Sequence, residues 1–175
     1  MLGSSGTAAV LLLSLSAPAG AYQATDRQIA QEVQRQVLAY PEFTIFDRVH
    51  AEVDDGVVTL RGKVTRAHKR RDLVDRVGTI PGVRAVHDGV EVLPVSAHDD
   101  NLRARLARAI YGNPAFRPYA AMANPPIHII VEHGRVTLEG VVQSRVDRSL
   151  AESLAGTVDA VSLRNELRTP AGGAR

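Results

Sequence analysis

The sequence predicts an α+β protein of two repeated α-β-β-α-β domains, each a small three-stranded sheet covered on one face by two helices. Two sequence patterns, each of which occurs twice, predict this fold. A segment with apolar residues every four positions begins at Asp26 and returns 73 residues later at Asp99. The pattern Gly-x-Val-Thr-Leu-x-Gly begins at Gly56 and returns 78 residues later at Gly134. A duplicated set of elements indicates two domains of roughly 70 residues each.

The first helix of each repeat is amphipathic. Its apolar stripe consists of Ile29, Val33 and Val37 in the first copy and of Leu102, Leu106 and Ile110 in the second. This spacing places the stripe on one helix face. Asp26 and Asp99 stand where N-caps are expected, and Pro41 and Pro114 end the helices.

A β-hairpin follows in each repeat, because apolar and polar residues alternate on both sides of a Gly turn. The inward positions are Val49, Ala51, Val53, Val58, Leu60 and Val64, repeated by Ile127, Ile129, Val131, Val136, Leu138 and Val142. Gly56 and Gly134 take the turns. Gly62 and Gly140 fall on the inward side, where a missing side chain lets another backbone approach and a Cβ would push the helices away from the sheet. All four glycines are therefore expected to be structural.

A second helix and a last strand complete each repeat. The helices are predicted at 66–78 and 145–155, and the strands at 86–92 and 163–167. Gly82 lies in the turn before the first of these strands and is also expected to be structural. Both helices of a repeat must cover the apolar face of its sheet, since nothing else can bury it.

The repeats set the domain boundaries. The predicted parts are a first domain at 26–93, a linker at 94–98, a second domain at 99–169 and a disordered tail at 170–175. We expect the domains to fold independently. If they do pack together, the outer sheet face of the second repeat is the expected surface, because it is apolar at Ile130 and Val141.

The N-terminus predicts export. Residues 8–15 are almost wholly apolar, and Ala19-Gly20-Ala21 matches a signal-peptidase site, so 1–21 is interpreted as a signal peptide. The alternative is a segment that is disordered or docked on the core. The apolar run is too short to span a bilayer. With no Cys in the chain, disulfides and an N-terminal lipidated Cys are excluded, which predicts a soluble, non-lipidated protein of a bacterial periplasm.

The element order and two short motifs resemble the BON domain of bacterial osmotically inducible periplasmic proteins. The hairpin motif is present in both repeats. The turn motif Pro-Gly-Val-x-x-Val is complete only in the first, from Pro81 to Val86, and Ala160-Val161 replaces Gly-Val in the second. The resemblance covers almost the whole mature chain. It implies envelope maintenance, association with phospholipid or envelope proteins, and no catalytic residues.

The sequence offers no pattern of an active site. No Gly-x-Ser-x-Gly motif or phosphate-binding Gly loop is present, so we expect neither an enzyme nor a cofactor. His50 and His128 occupy equivalent outward strand positions, and solvent-facing residues are a better interpretation than a shared metal site. The formal net charge is only +2, which gives no argument for nucleic-acid binding.

Two local basic clusters are candidate sites. One is the start of the second helix, a candidate anion site formed by Arg66, Lys69, Arg70 and Arg71. The alternative is a solvated helix face on which Asp72 and Asp75 pair with these cations. The other is a candidate lipid-binding surface composed of Arg103, Arg105, Arg108, Tyr119 and Met122. Basic residues beside aromatic ones suit a bilayer interface, and ordinary packing against the sheet is the alternative.

These observations give two functional hypotheses. The first is a non-enzymatic periplasmic protein that binds anionic phospholipid peripherally and maintains the envelope, with osmotic stress as its setting. The second is a protein-binding or chaperone-like module for unfolded or outer-membrane proteins. The sequence does not specify the oligomeric state.

Overall fold

The computed structural model describes residues 24–170 and confirms the predicted α+β fold of two repeats. The first domain consists of α1 (Asp26–Leu38), β1 (Arg48–Asp54), β2 (Val57–Val64), α2 (Ala67–Gly78) and β3 (Ala85–Val92). The second consists of α3 (Ala97–Tyr111), a 3-10 turn (Pro114–Phe116), the one-turn α4 (Arg117–Ala120), β4 (Ile127–Glu132), β5 (Arg135–Val141), α5 (Arg145–Gly156) and β6 (Ser162–Arg168). The predicted signal peptide and residues 171–175 of the predicted tail lie outside the described residues.

The two sheets have the same topology. Their strand orders are β1-β2-β3 and β4-β5-β6. The central strand is antiparallel to its hairpin partner and parallel to the last strand of the repeat. A parallel pair needs a crossover connection, and the second helix of each repeat supplies it. β1 and β4 therefore form equivalent outer edges of the two sheets.

Both hairpin turns are closed by a carboxylate from the preceding helix. Asp26 accepts the backbone N–H groups of Asp55 and Gly56 at 2.9 and 2.8 Å. Its expected role as N-cap is wrong, because the side chain of Thr25 caps α1. Two successive residues with positive φ, Asp55 at 47° and Gly56 at 73°, point both N–H groups towards the carboxylate.

The second repeat has the same arrangement. Asp99 is 1% exposed and accepts the N–H groups of His133 and Gly134 at 2.9 and 2.8 Å. Ser96 is the N-cap of α3, so the predicted N-cap at Asp99 is also corrected. α3 consequently begins at Ala97, inside the predicted linker, and the connection between the domains is shorter than expected.

Gly62 and Gly140 are required by the backbone of a neighbouring strand. Their φ angles are 134° and 125°. A Cβ at Gly62 would lie 2.0 Å from the carbonyl oxygen of Arg48, and one at Gly140 would lie 1.8 Å from that of Pro126. The expected close approach of another backbone is therefore confirmed, whereas the expected contact with the helices is wrong. The three turn glycines expected to be structural, Gly56, Gly82 and Gly134, also have positive φ.

Candidate functional site

Arg103 of α3 lies inside the protein. It is 4% exposed, its Nη1 donates to Asp100 Oδ1 at 2.6 Å, and its Nη2 donates to the carbonyl oxygen of Val131 at 2.5 Å. This burial corrects the expectation that Arg103 faces a lipid phosphate. The buried face of α3 is wider than the predicted stripe of three residues, and it also includes Arg103.

Arg105 and Arg108 are exposed on the opposite side of α3. They are three residues apart and therefore neighbours on one helix face. Arg117, which no sequence pattern singled out, is exposed at the start of α4, and α4 packs against α3. Among residues 24–170, none of these three arginines forms an ion pair. We refer to Arg105, Arg108 and Arg117 as the basic surface.

The two apolar candidates of the inserted loop differ in exposure. Tyr119 is buried, with its ring centroid 5.6 Å from that of Phe116. Its hydroxyl donates to Asp147 at 2.7 Å and accepts the N–H of Gln143 at 2.8 Å. Tyr119 is thus a core residue, which corrects its expected position at a bilayer. Met122 is 42% exposed, so its side chain can still contact a membrane.

The second cluster, at the start of α2, is divided. Lys69 is 6% exposed and donates to Asp47 at 2.7 Å and Thr65 at 2.9 Å, so it cannot reach a ligand at the surface. Arg70 donates to Asp88 at 2.7 Å. The alternative pairing with Asp72 and Asp75 is not observed either, since the nearest partner of Asp72 is the hydroxyl of Tyr40 at 2.6 Å. Arg66 and Arg71 are exposed.

The loop between α1 and β1 joins the two domains. Ile45 and Phe46 pack against the hydrophobic core of the second domain. The carbonyl oxygen of Ile45 accepts the N–H of Ile129 in β4 at 2.7 Å. The sequence did not indicate this contact, because these residues lie in a loop without periodicity.

Charged residues surround this junction. Glu139 of β5 lies 3.3 Å from His50 and 3.6 Å from Arg48, and Lys63 pairs with Glu132. The hydrogen bonds and these charges lower the pKa of Glu139, with the bond from His50 as the largest cause. On the outer face of the second sheet, Ile130 is 5% exposed whereas Val141 is 49% exposed. Only the former fits the apolar contact surface expected there.

His128 is buried at the same junction. It is 7% exposed, and its ring centroid lies 5.8 Å from that of Phe43 in the first domain. The interpretation of His128 as a solvent-facing strand residue is therefore wrong, because the first domain covers this face of β4. Burial lowers the pKa of His128 to about 4, and the charge of Arg48 acts in the same direction.

Acid should therefore weaken the folded chain through His128. His128 is protonated below about pH 6.5 in the unfolded state, but only below about pH 4 in the folded state. The free energy of unfolding should fall across this interval by about 2–3 kcal/mol. Urea denaturation at pH 7 and pH 4.5 measures the loss, which His128→Gln should reduce. The exposed His87 provides the control: His87→Gln should keep the pH dependence of the parent, and an equal dependence in both variants would contradict the prediction.

Residues 24–170 contain no group of three His, Cys, Asp or Glu side chains placed to hold a metal ion. Nor does any helix in this part of the chain have the length and apolar character needed to cross a bilayer.

Comparison with known proteins identifies the repeat. The BON domain profile matches twice, at residues 25–94 and 98–170. No curated protein sequence matches the chain. Two similar solved structures are of CdsD, a structural protein of the type III secretion system of Chlamydia trachomatis. One, its C-terminal domain, is 14% identical with a TM-score of 0.35, covering 85% of this chain and 68% of that one. The other is 13% identical with a TM-score of 0.28, covering 82% and 93%.

Proposed function

The chain belongs to the BON-domain family, and on that premise we propose that it binds anionic phospholipid peripherally through the basic surface of its second domain. BON domains are associated with membrane or phospholipid binding and with envelope proteins. The single observation that carries the proposal is the exposure of Arg105 and Arg108 on one face of α3, where the neighbouring Asp100 is already bonded to Arg103. No carboxylate among residues 24–170 forms an ion pair with either of these two cations.

The expected affinity comes mainly from charge. A Lys or Arg near an anionic membrane contributes about 1 kcal/mol, so the three arginines of the basic surface would together strengthen binding by about two decades. The Debye length is about 8 Å at physiological ionic strength, so binding should weaken as salt is added. Met122 supplies a smaller apolar contribution that salt does not screen.

The setting of this activity is the bacterial envelope. The export signal interpreted at 1–21 would deliver the protein to the periplasm, and binding without a membrane span suits reversible attachment there. Maintenance of the envelope under osmotic stress is the role that we infer for it. We propose no catalytic step.

Vesicle sedimentation tests the proposal. The full chain should sediment with vesicles of anionic phosphatidylglycerol at low salt and should not sediment with zwitterionic phosphatidylcholine. Arg105→Gln with Arg108→Gln should weaken binding about 30-fold, since two cations contribute about 2 kcal/mol. Arg66→Gln with Arg71→Gln removes two exposed cations from the first domain and is the matched control. If the two double variants bind alike, or the parent ignores anionic vesicles, the proposal fails.

A protein-binding module is the second candidate function. It is favoured by the exposed edge of β1 in the first domain. This edge is separate from the basic surface, which lies in the second domain.

A further inference from the structure

The outer edge of β4 in the second domain receives side-chain hydrogen bonds at both ends. At one end, the hydroxyl of Tyr111 donates to the carbonyl oxygen of Ile127 at 2.6 Å and accepts its N–H at 3.1 Å. At the other end, Arg103 donates to the carbonyl oxygen of Val131 at 2.5 Å. Tyr111 and Arg103 both belong to α3, so side chains of this helix form hydrogen bonds with both ends of the neighbouring edge.

The middle of the same edge is covered by the first domain. The N–H of Ile129 bonds to the carbonyl oxygen of Ile45, and the side chains of Ile45 and Phe46 pack on the core beside α3. The residues that cover the edge form a turn, which is closed by the bond from the N–H of Asp47 to the carbonyl oxygen of Thr44 at 3.0 Å. A backbone carbonyl group supplied by this turn satisfies the outward N–H at the centre of β4.

The first domain has the same edge without any of these caps. Tyr111 and Arg103 correspond, 73 residues earlier, to Leu38 and Ala30 of α1. Neither of these side chains can donate or accept a hydrogen bond. The loop that covers β4 comes from the first domain, and within residues 24–170 no equivalent loop covers β1.

The central backbone group of this open edge is the N–H of Ala51. Ala51 pairs with Leu60 as Ile129 pairs with Leu138. The equivalent register directs the N–H of Ala51 away from β2, as it directs that of Ile129 away from β5. Among residues 24–170, this N–H donates to no observed acceptor. An uncovered edge of this kind is a template for another strand.

A groove of about 400 Å³ runs between α1 and the open edge of β1. Its apolar lining includes Val33, Val37 and Phe43. Of its two arginines, Arg48 already faces Glu139, whereas Arg27 is exposed and forms no ion pair within residues 24–170. An occupant would therefore place apolar side chains against α1 and a carboxylate towards Arg27. We refer to this feature as the edge groove.

We propose that the edge groove binds an extended segment of a different protein, apolar and flanked by a carboxylate, which adds as a strand to β1. A carbonyl oxygen of the segment accepts the N–H of Ala51, as Ile45 accepts that of Ile129. Residues 42–47 of this chain have the required composition, but Ile45 and Phe46 are already packed against the second domain. The site lies on the first domain and needs no lipid, so it is independent of the function proposed for α3.

The probe is a synthetic peptide with the sequence of residues 42–47, titrated into the ¹⁵N-labelled full chain. Amide shifts should change at Val49, Ala51 and Val53, and the fitted dissociation constant compares the variants. Leu38→Tyr copies the cap of the second domain and should weaken binding at least tenfold. Ala39→Tyr adds the same ring at the adjacent position and should bind like the parent.

A second variant tests the backbone bond itself. Ala51→Pro removes the outward N–H on an edge strand, where proline leaves the β1–β2 ladder intact, and should abolish the shifts. Ala51→Val keeps the N–H and should preserve them. If Ala51→Pro fails to fold, Leu38→Tyr still decides the question.

Hydrogen exchange of the unliganded chain provides a further test. The amide of Ala51 should exchange much faster than that of Ile129, which is bonded to Ile45. Slow exchange at Ala51 in dilute protein would show that the chain's own N-terminal segment fills the groove. Protection that appears only with rising protein concentration would show a second copy there. Either result overturns the proposal, as does equal peptide binding by Leu38→Tyr and the parent.

Discussion

Gly140→Ala is expected to lower the melting temperature of the second domain by more than about 10 °C. A Cβ at position 140 would lie 1.8 Å from the carbonyl oxygen of Pro126, a backbone atom that cannot rotate away. The φ of 125° adds strain, since this region is essentially restricted to glycine. Overpacking and backbone strain each cost about 1–3 kcal/mol, and 1 kcal/mol corresponds to about 4–8 °C in a domain of this size.

The same domain contains a matched control. Gly156, the last residue of α5, has open space where a Cβ would stand, with no atom within 4 Å, and its φ lies outside the positive range. Gly156→Ala should therefore leave the melting temperature unchanged or raise it slightly, because alanine favours helix. Thermal unfolding followed by circular dichroism measures both variants. Equal melting temperatures of Gly140→Ala and the parent would show that a Cβ at position 140 does not clash with the carbonyl oxygen of Pro126.

The repeat made the fold predictable from the sequence. Each element was visible twice, and the predicted inward positions of the two hairpins pair with each other, as Ala51 with Leu60 and Ile129 with Leu138 show. The need for glycine at 62 and 140 was also visible. The close approach of another backbone was expected there, but the carbonyl groups that make it were not, because they belong to residues that no side-chain pattern identifies.

The candidate site was less predictable, because its residues are selected by contacts distant in sequence. Arg103 is buried and donates a hydrogen bond to the carbonyl group of Val131, 28 residues away. Lys69 is withdrawn by Asp47, and His128 is covered by Phe43 across the two domains. The pattern of one helix cannot reveal such partners. It did predict that Arg105 and Arg108 are exposed, because their exposure depends on the helix period alone.

Asp47→Asn is expected to cost about 3–5 kcal/mol, since it leaves the ammonium group of Lys69 buried without its counter-ion. Asp47 is fully buried, and its carboxylate accepts Lys69 at 2.7 Å and the N–H groups of Thr44 and Thr65 at 2.9 and 2.7 Å. Arg70→Gln breaks an exposed ion pair with Asp88, where about 0–1 kcal/mol is expected. Urea denaturation at pH 7 compares the two variants.

Loss of Asp47 should also loosen the junction between the domains, because the residue directly follows Ile45 and Phe46, which pack on the second core. We expect Asp47→Asn to unfold in two transitions if the parent unfolds in one. Acid should act in the same sense. Burial alone raises the pKa of Asp47, but the bonds from Lys69, Thr65 and Thr44 together hold it below the usual 3.8. The stability from this carboxylate is therefore complete above about pH 4 and is lost as the pH falls through the lower folded value. A variant that retains the stability and single transition of the parent would show that the buried pair does not hold the junction loop.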